Sequence, residues 1–484
     1  MTSTGFKFDN TYLQLPDIFY TKILPAPVPK PELVILNTPL ATELGLDFSN
    51  TSSDKQAELF SGNQMPETAE PFAQAYAGHQ FGHFTMLGDG RAIAWGEHIT
   101  PTDQRFDLQF KGSGPTPYSR GGDGRAALGP MLREYIISEA MQALNIPTTR
   151  SLAVVTHGEQ VYRETSLPGA ILTRVARSHI RVGTFQFAAL KQDKDTIQTL
   201  LDYTIKRHHP EIGDSQNKPL SLLKAVIEKQ AELITHWMRV GFIHGVMNTD
   251  NMALSGETID YGPCAFMDTY DPATVFSSID HGGRYAYANQ PTIAQWNLAR
   301  LAETLLPLLD DDPNKAKDLA EEAIHSFGAV YKEKSLSMLR AKVGLFGERP
   351  GDEKLISDLL DWMQQTDADY TNTFVDLTNE VPPSGERYDG DTFKEWHARW
   401  QTRVAANTQP LESSLDLMRA NNPVVIPRNH KVEQALESAN SGDLQPFRDL
   451  IAALQKPYKN DPNLKPYQSP PKPDEKVCQT FCGT

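Results

Sequence analysis

The feature of this sequence that most limits its possible folds is a change of pattern near residue 290. Before that point, short apolar runs are broken by glycine, as in MLGDGRAIAWGEH at 86–98. After it, apolar residues recur with helical spacing in successive long segments, of which PTIAQWNLARLAETLLPLL at 291–309 is the first. A part that contains strands, followed by an almost purely helical part, predicts an α+β protein with two lobes.

Within that plan the sequence predicts five regions. They are an irregular, proline-rich arm at 1–70, a strand-bearing lobe at 71–220, a second lobe at 221–330, a helical region at 331–456 and a Pro/Lys-rich tail at 457–484. The spacing of apolar residues predicts helices over 125–144 and 221–241, the second of them ended by Gly241. The Gly-Asp-Gly turn inside 86–98 predicts a β-hairpin.

The composition excludes several classes of protein. The chain has 484 residues, of which 39% are hydrophobic and 22% charged, so it can bury a sizeable core. No apolar run approaches the roughly 20 residues that span a bilayer, and the first residues, MTSTGFKFDN, show no targeting pattern. A net charge of −15 argues against nucleic acid as a partner. Three cysteines are too few for a disulfide framework, so we expect a cytoplasmic protein that does not enter membranes.

Three parts of a phosphate-transfer site occur in the order in which protein kinases carry them. The backbone amides of the turn Gly88-Asp89-Gly90-Arg91 could lie over phosphate groups, and Lys111 ends the next predicted strand, RFDLQFK. Glu134 follows on the predicted helix, where a kinase has the acid that holds this lysine in place. Taken alone, these residues also have ordinary interpretations as a hairpin turn, a surface lysine and a solvated helix acid.

The run HGVMNTDN at 244–251 has the spacing of a kinase catalytic loop. His244 and Asn251 are separated as the outer residues of H-R-D-x-x-x-x-N are, and Asn251 would offer its amide oxygen to Mg²⁺. Asp260 begins Asp-Tyr-Gly, a variant of the metal-binding D-F-G. Two oxygen ligands suit a hard cation that keeps several of its own waters.

The catalytic base departs from the kinase pattern. Its position is taken by Val246, which cannot accept a proton, and Asp250 is the nearest carboxylate able to act as general base. Two further arginines, Arg174 and Arg181, lie in LTRVARSHIRVG at 172–183, and their guanidinium groups suit phosphate oxygens. Together with Arg91 they exceed what transfer of a γ-phosphate requires, although surface salt bridges are the alternative interpretation of these arginines.

Long runs of this sequence resemble the selenoprotein O family, kinase-like proteins described as protein adenylyltransferases. The resemblance extends over nearly the whole chain and is carried by YAGHQFGHF, LGDGRA, LQFKGSGPTPYSRGGDGRA, LREYIISEAM, HGVMNTDNM, DYGP, GRYAYANQP and NPVVIPRNH. It implies a protein-kinase-like two-lobed fold, in which 71–220 is the N-lobe, 221–330 the C-lobe and 331–456 a helical C-terminal extension. It also implies that ATP binds in a flipped orientation, with its α-phosphate presented to the acceptor.

The resemblance further implies a role for each candidate residue. Asp250 would be the proton acceptor, Asn251 and Asp260 would hold Mg²⁺ or Mn²⁺, and Glu134 would support the lysine. The nucleotide-binding residues that it implies are Gly88, Gly90, Arg91, Lys111, Asp123, Gly124, Arg174 and Arg181. The two last arginines would clamp the β- and γ-phosphates, which leave as pyrophosphate. The acceptor would be a Ser, Thr or Tyr hydroxyl group of another protein.

The tail carries a possible redox pair. Eukaryotic members of the family have selenocysteine third from the end of the chain, where this sequence has Cys482, four residues after Cys478. A redox role is one interpretation of the two cysteines, and free thiols on a mobile tail is the other.

Two other functions stay open at this point. The first is a phosphotransferase that acts on protein or on a small molecule, and Val246 in place of the kinase base argues against it. The second is an inactive, nucleotide-binding pseudokinase scaffold, and the retained metal ligands Asn251 and Asp260 argue against it. The sequence leaves open the choice between Mg²⁺ and Mn²⁺, the identity of the nucleoside triphosphate, the protein substrates and the oligomeric state.

Overall fold

A computed structural model describes residues 4–379, 383 and 385–481. Its strands are β1 (Tyr20–Lys22), β2 (Glu32–Leu36), β3 (Phe72–Gln74), β4 (Ala77–Gln80), β5 (His83–Met86), β6 (Ala92–Ile99), β7 (Arg105–Lys111), β8 (Ala126–Ala127), β9 (Arg150–Tyr162), β10 (Ser166–Ala176), β11 (Phe242–Ile243) and β12 (Ala265–Phe266). Its α-helices are α1 (Thr38–Glu43), α2 (Ser53–Phe60), α3 (Leu128–Ala143), α4 (Val182–Ala189), α5 (Lys194–His208), α6 (Lys218–Val240), α7 (Gln290–Leu309), α8 (Pro313–Lys342), α9 (Asp352–Gln365), α10 (Tyr370–Asp376), α11 (Asp391–Ala405), α12 (Leu411–Asn421), α13 (Asn429–Asn440), α14 (Gln445–Leu454) and α15 (Lys465–Gln468). Within the described residues, every helix is too short or too polar to cross a membrane.

Antiparallel pairing joins most of the strands into one large sheet. Its order is β1-β3-β6-β7-β10-β9-β2, with β8 beside β10, while β4 pairs with β5 and β11 pairs with β12 in separate small sheets. Antiparallel sheets combined with many helices confirm the α+β prediction. The segment 1–70, expected to be an irregular arm, supplies β1 and β2 to the large sheet and packs α2 against β2.

Alternation along β7 gives the two faces of the large sheet different characters. Leu108 and Phe110 are fully buried in an apolar cluster on one face. Asp107, Gln109 and Lys111 lie at the intervening positions and are also buried, on the opposite face. Because buried polar groups need partners, this second face must carry a network of ion pairs and hydrogen bonds. The candidate site lies at one end of that network.

Two helices frame the polar face. Helix α3 packs on β9 and β10, with Leu132 and Ile136 fully buried, and it carries Glu134 toward β7. Helix α6 leads into β11 and ends at Gly241, as the sequence predicts. The φ of Gly241 is +72°, a left-handed conformation that glycine adopts without steric cost.

The segment 291–309, predicted to be helical, forms α7, and the helical pattern continues from it into α8, which extends to Lys342. A buried arginine attaches this helical region to the rest of the protein. Arg428 donates hydrogen bonds to Asp268 at 2.6 Å and to Asp369 at 2.7 Å. The side chain of Asn429 pairs with both backbone groups of Phe266 in β12. The run NPVVIPRNH therefore connects the helical region to the strand that follows the Asp-Tyr-Gly turn.

One prediction of local structure is wrong. The turn at Gly88-Asp89-Gly90 does not close a hairpin, because β5 before it pairs with β4, whereas β6 after it pairs with β3 and β7. The hairpin closes instead at Phe81 and Gly82, whose φ angles of +50° and +86° match a two-residue turn of type I′. The Gly-Asp-Gly turn thus passes from the small sheet to the large one.

Candidate functional site

A cleft of about 820 Å³ lies where the Gly-Asp-Gly turn, the end of β7 and the 246–263 segment meet. The candidate residues from the sequence that line it are Gly88, Gly90, Arg91, Lys111, Asp123, Gly124, Arg174, Arg181, Asp250, Asn251 and Asp260. Glu134 stands behind the cleft wall, and Val246 is part of the lining. Residues drawn from widely separated parts of the chain are thus brought together at one place.

Lys111 is held at the end of β7 by two carboxylates. Its Nζ donates to Glu134 Oε2 at 2.5 Å and to Asp260 Oδ1 at 3.0 Å. Lys111 and Glu134 expose less than a tenth of their side chains, whereas Asp260 is partly exposed to the cleft. The lysine–glutamate pair expected from the kinase-like spacing is therefore present.

Asp260 is the centre of the charge network. Besides Lys111, it accepts a hydrogen bond from Arg174 at 2.5 Å and one from Arg181 at 3.0 Å. Burial alone would raise the pKa of Asp260, but the three neighbouring cations hold it well below its ordinary value. Its backbone has a φ of +64°, which is uncommon for a residue other than glycine and often marks a functional position.

Asp250 lies in a short 3₁₀ turn, Thr249–Asn251, and is buried. Its Oδ1 has no hydrogen-bond partner in the described part of the chain, and the side chain of Gln80 hydrogen-bonds to the carboxylate. Burial raises the pKa of Asp250 to about 6, with the positive charge of Arg181 acting in the opposite direction. A buried carboxylate oxygen without a partner is costly and is therefore poised to accept a proton from a group in the cleft.

The oxygen ligands available to a metal ion are Asn251 and Asp260. Asn251 donates its amide nitrogen to the carbonyl oxygen of Val246 at 3.0 Å, which leaves its amide oxygen as the free acceptor. Within the described residues, no group of three His, Cys, Asp or Glu side chains could hold a metal by itself. One carboxylate and one amide oxygen fit a Mg²⁺-like ion that completes its coordination with waters and phosphate oxygens.

Glycines shape the rim of the cleft through close packing. Gly88 has a φ of +135°, and a Cβ there would collide with the ring of Tyr118. Gly124 has a φ of +65°, and a Cβ there would collide with the backbone of Gly114. Beside it, Asp123 accepts from Arg163 in an ion pair of 2.9 Å, and these hydrogen bonds lower its pKa.

Sequence reasoning missed three residues of this site. Oδ1 of the buried Asp89 lies 3.9 Å from the Arg181 guanidinium in an ion pair, and it has no hydrogen-bond partner among the described residues. Burial raises the pKa of Asp89. The second is Tyr76, whose ring centre lies 4.5 Å from the guanidinium of Arg181. The third is Asn248, whose Oδ1 accepts hydrogen bonds from the backbone N–H of Phe81 and from the hydroxyl of Tyr285. Asp89 and Asn248 lie inside motifs already singled out, so their position there was the available signal.

Of the two tail cysteines, the structure describes Cys478, which does not line the cleft. Cys478 is exposed, and Cys482 lies outside the described residues. Thr480 between them is buried, forms a parallel bridge with Ser277 and donates its hydroxyl to the carbonyl of Pro263 at 2.5 Å. The tail therefore reaches the segment that follows the Asp-Tyr-Gly turn, and the redox interpretation stays a prediction.

The chain is similar to known proteins over nearly its whole length. The family model of protein adenylyltransferase SelO matches residues 3–455. A protein nucleotidyltransferase YdiU of Nitrosococcus oceani is 63% identical over 481 residues, which covers 99% of this chain and 98% of the relative. Proteins of the same name from Syntrophotalea carbinolica and Bacillus cytotoxicus are 57% and 58% identical and cover 100% and 99% of this chain and 98% of each relative.

Proposed function

This chain belongs to the family of protein adenylyltransferase SelO, and from that premise we propose how its cleft transfers AMP from ATP to another protein. The protein is a nucleotidyltransferase, and ATP is the donor that its family implies. The proposal concerns the finer points: which residues do what, the kinase-like arrangement of two lobes around the cleft, and the hydroxyl acceptor. A cytoplasmic location fits the low cysteine content.

We assign the triphosphate to the basic end of the cleft. Lys111, Arg174 and Arg181 converge on the carboxylate of Asp260, and an incoming triphosphate offers these cations additional oxygens of the same kind. Fixed positive groups at the β- and γ-phosphates stabilise the charge that develops on pyrophosphate as it leaves. The backbone of Gly88 and Gly90, with Arg91, Asp123 and Gly124, would contact the remainder of the nucleotide.

Asp250 is the proposed proton acceptor. The oxygen of a Ser, Thr or Tyr hydroxyl group attacks the α-phosphorus, and its proton passes to Oδ1 of Asp250. The bond between the α-phosphorus and the bridging oxygen breaks, and the electron pair leaves with pyrophosphate. The product is the acceptor protein esterified with AMP.

Asn251 and Asp260 are the proposed ligands of Mg²⁺ or Mn²⁺. A divalent cation held there would supply positive charge that neutralises part of the charge of the phosphate groups. The chain's own contribution is to direct the amide oxygen of Asn251 into the cleft by fixing its nitrogen on the carbonyl of Val246. When phosphate oxygens bind Lys111, Arg174 and Arg181, they would replace the carboxylate of Asp260 as the partner of these cations. That carboxylate would then be free to bind the ion.

The observation that carries the proposal is the pairing of Val246 with Asp250. At the position of the kinase base, the cleft has the apolar side chain of Val246. Four residues further on, Asp250 has a buried carboxylate oxygen without a hydrogen-bond partner among the described residues, and it directly precedes the proposed metal ligand Asn251. This arrangement supports a reaction at a phosphorus other than the one that a kinase uses.

The test is to follow each phosphate of ATP. With ATP labelled at the α-position, the protein acceptor should become labelled, gain the mass of AMP and release pyrophosphate. With γ-labelled ATP it should stay unlabelled. Label from the γ-position together with release of ADP would contradict AMP transfer and favour the phosphotransferase. Binding of ATP without label from either position would favour the inactive scaffold.

A further inference from the structure

The hairpin of β4 and β5 packs one of its edges against the catalytic loop. The backbone N–H of His79 in β4 donates to the hydroxyl of Thr249 at 2.7 Å. A Cβ on Gly78 would lie 2.6 Å from Asp250 Oδ1, so the β4 backbone passes directly over the proposed base. Gln80, at the end of β4, and Phe81, in the hairpin turn, also line the cleft. Tyr76 and Gln80 thus contribute to the site from the β4 side, whereas β5 has no role in it so far.

The other edge of the hairpin, formed by β5, has no strand partner in the part of the chain that the structure describes. The N–H of Leu87 donates to the carbonyl of Tyr76 at 3.1 Å. This bond shows which residues of β5 direct their backbone groups toward β4 and which direct them away from it. Counting back by alternation, Phe84 and Met86 occupy positions where the backbone groups point away from β4. Such an edge is ready to pair with another strand.

The exposed side chains of this edge are apolar. Phe84 and Met86 are 43% and 50% exposed, and they share one face of β5. Ile279, which lines the same cleft as Asp250, is also 50% exposed. Met86 directly precedes Leu87, which lines the cleft, so this apolar edge begins next to it. Exposed apolar groups that lie together beside a cleft indicate an interaction site more strongly than the same groups scattered over a surface.

Positive charge lies beside this apolar edge. The ring of His79 is 5.2 Å from Phe84 and 5.3 Å from Trp296 in α7. The guanidinium groups of Arg284 and Arg300 lie 4.8 Å and 4.9 Å from the Trp296 ring. The hairpin itself contains no acidic residue, although the chain as a whole has a net charge of −15. Glu303 pairs with Arg300 at 2.7 Å, so the charges that act on His79 are two arginines against one acid. The net positive charge that remains is complementary to an acidic segment.

We propose that the free edge of β5 is the docking site for the acceptor protein, which adds an extended segment to the hairpin as a third strand. The segment would place apolar residues at alternate positions against Phe84 and Met86 and an acidic residue beside Arg284 and Arg300. Two strand spacings, about 10 Å in all, separate such a segment from β4, whose other edge contacts the catalytic loop. Residues that continue it past the hairpin turn bring the hydroxyl group to Asp250. The inference rests on the proposed transfer of AMP to protein.

The test compares transfer to two sets of synthetic peptides, each with one central Ser, Thr or Tyr. One set has alternating Val and Leu with two Glu residues, and the other has alternating Ser and Gly with two Lys residues. The KM for peptide and the KM for ATP are measured with the parent protein, with the double variant Phe84→Ala/Met86→Ala and with Met86→Pro. Proline removes one outward N–H and is tolerated on an edge strand. Leu411→Ala, at an exposed leucine of α12, is the matched control.

The parent should prefer the acidic, apolar peptides. The double variant should raise their KM by about 10-fold and Met86→Pro by about 3- to 10-fold, as expected for one lost hydrogen bond, with the KM for ATP unchanged. Amide hydrogen exchange at Phe84 should slow when these peptides bind, and Leu411→Ala should behave like the parent.

Three results would overturn the docking site. They are an unchanged peptide KM in both edge variants, equal use of the two peptide sets, and labelling of folded proteins by a parent that labels none of the peptides. The enzyme could also label itself, at a rate that rises with the square of its concentration. If Met86→Pro abolishes that self-labelling and leaves peptide labelling intact, the edge pairs with a second copy of this chain instead. Absence of α-label on every acceptor would contradict AMP transfer itself.

Discussion

The polar face of β7 carries two clusters of buried charged residues, one at each end of the strand. They differ in how completely their charged groups are hydrogen-bonded within the protein. At the Asp107 end, Arg207 donates to Asp107 at 2.7 Å and to Glu97 at 2.5 Å. His179 donates its backbone N–H to Asp107 at 2.9 Å, and the N–H of Tyr12 donates to Glu97 at 2.5 Å. These carboxylates accept hydrogen bonds from protein donors and do not line the cleft described above, although Tyr12 Oη and His179 Nε2 beside them are buried without a hydrogen-bond partner among the described residues.

At the Lys111 end, the same kinds of residue are left incomplete. Among the described residues, Asp89 Oδ1, Asp250 Oδ1, Arg174 Nε and Arg181 Nε are buried without a hydrogen-bond partner. Unpaired buried polar atoms of this kind are costly unless a ligand completes them. The comparison teaches that buried charge alone does not identify a site. A site is identified by unpaired donors and acceptors that surround a cleft.

The largest effect that would test this contrast is expected from Asp260→Ala. The substitution leaves Lys111, Arg174 and Arg181 without the carboxylate that they share, and it removes a proposed metal ligand. AMP transfer should fall below detection, and nucleotide binding should lose its dependence on Mg²⁺ or Mn²⁺. Isothermal titration with and without the ion measures this, and circular dichroism checks the fold. Nucleotide affinity that is equal with and without divalent cation in the parent would refute the metal assignment.

Asp250→Asn should have the next largest effect. The amide keeps the shape of the side chain but cannot take up the hydroxyl proton, so the chemical step should slow by about 10²- to 10⁴-fold. ATP affinity should stay near that of the parent, because the substituted side chain is not a phosphate ligand. Rapid-quench measurement at saturating ATP separates the two quantities. Full activity in this variant would mean that the proton leaves by another route.

Arg207→Met should distinguish the two clusters most directly. It leaves Asp107 and Glu97 buried without their shared cation, and breaking such a pair costs about 3 to 5 kcal/mol of folding free energy. AMP transfer per folded molecule should be unchanged, since this end of β7 does not border the cleft. Urea unfolding and activity normalised to folded protein are the two measurements. Loss of kcat without loss of stability would show that the Asp107 cluster also serves the reaction.

The smallest effect concerns the pH dependence of stability near the Asp107 cluster. Glu257 accepts hydrogen bonds from Ser255 at 2.9 Å and from the backbone of Arg177 at 3.0 Å, and burial raises its pKa to about 7. Between the ordinary pKa of a glutamate and about pH 7, Glu257 binds more protons in the folded protein than in the unfolded chain. This group therefore makes the free energy of unfolding fall as pH rises.

Glu257→Gln removes that contribution. From pH 5 to pH 8, the stability of the variant relative to the parent should rise by about 1 to 3 kcal/mol, measured by urea unfolding at both values. A constant difference between the two proteins would show that Glu257 ionises normally.

The sequence predicts those parts of the site that depend on spacing within one motif. Lys111 and Glu134 meet because a strand end and a helix position are set by local periodicity, and the Asp250 loop keeps its kinase-like spacing. The partners of Arg181 are different. Tyr76 and Asp89 reach it only through the pairing of distant strands, and no local pattern encodes that pairing.

The hairpin was mispredicted for a related reason. Gly88 to Gly90 have the composition of a tight turn, whereas the real turn is formed by Phe81 and Gly82, and phenylalanine is a poor indicator of a left-handed backbone. The contacts of Asn248 with Phe81 and Tyr285 hold that turn in place, so its conformation is set by tertiary structure. The role of 1–70 as a supplier of strands was hidden by its prolines.

The attachment of Arg428 to Asp268 and Asp369 bears on how this protein can be trimmed or recombined. A fragment that ended near residue 330 would retain every cleft residue yet leave Asp268 without its cation and both backbone groups of Phe266 without Asn429. The helical region is therefore no detachable module, and insertions or fusions in the segment that carries Arg428 would be felt at the strand beside the Asp-Tyr-Gly turn. A minimal enzyme of this kind has to be shortened from its loops.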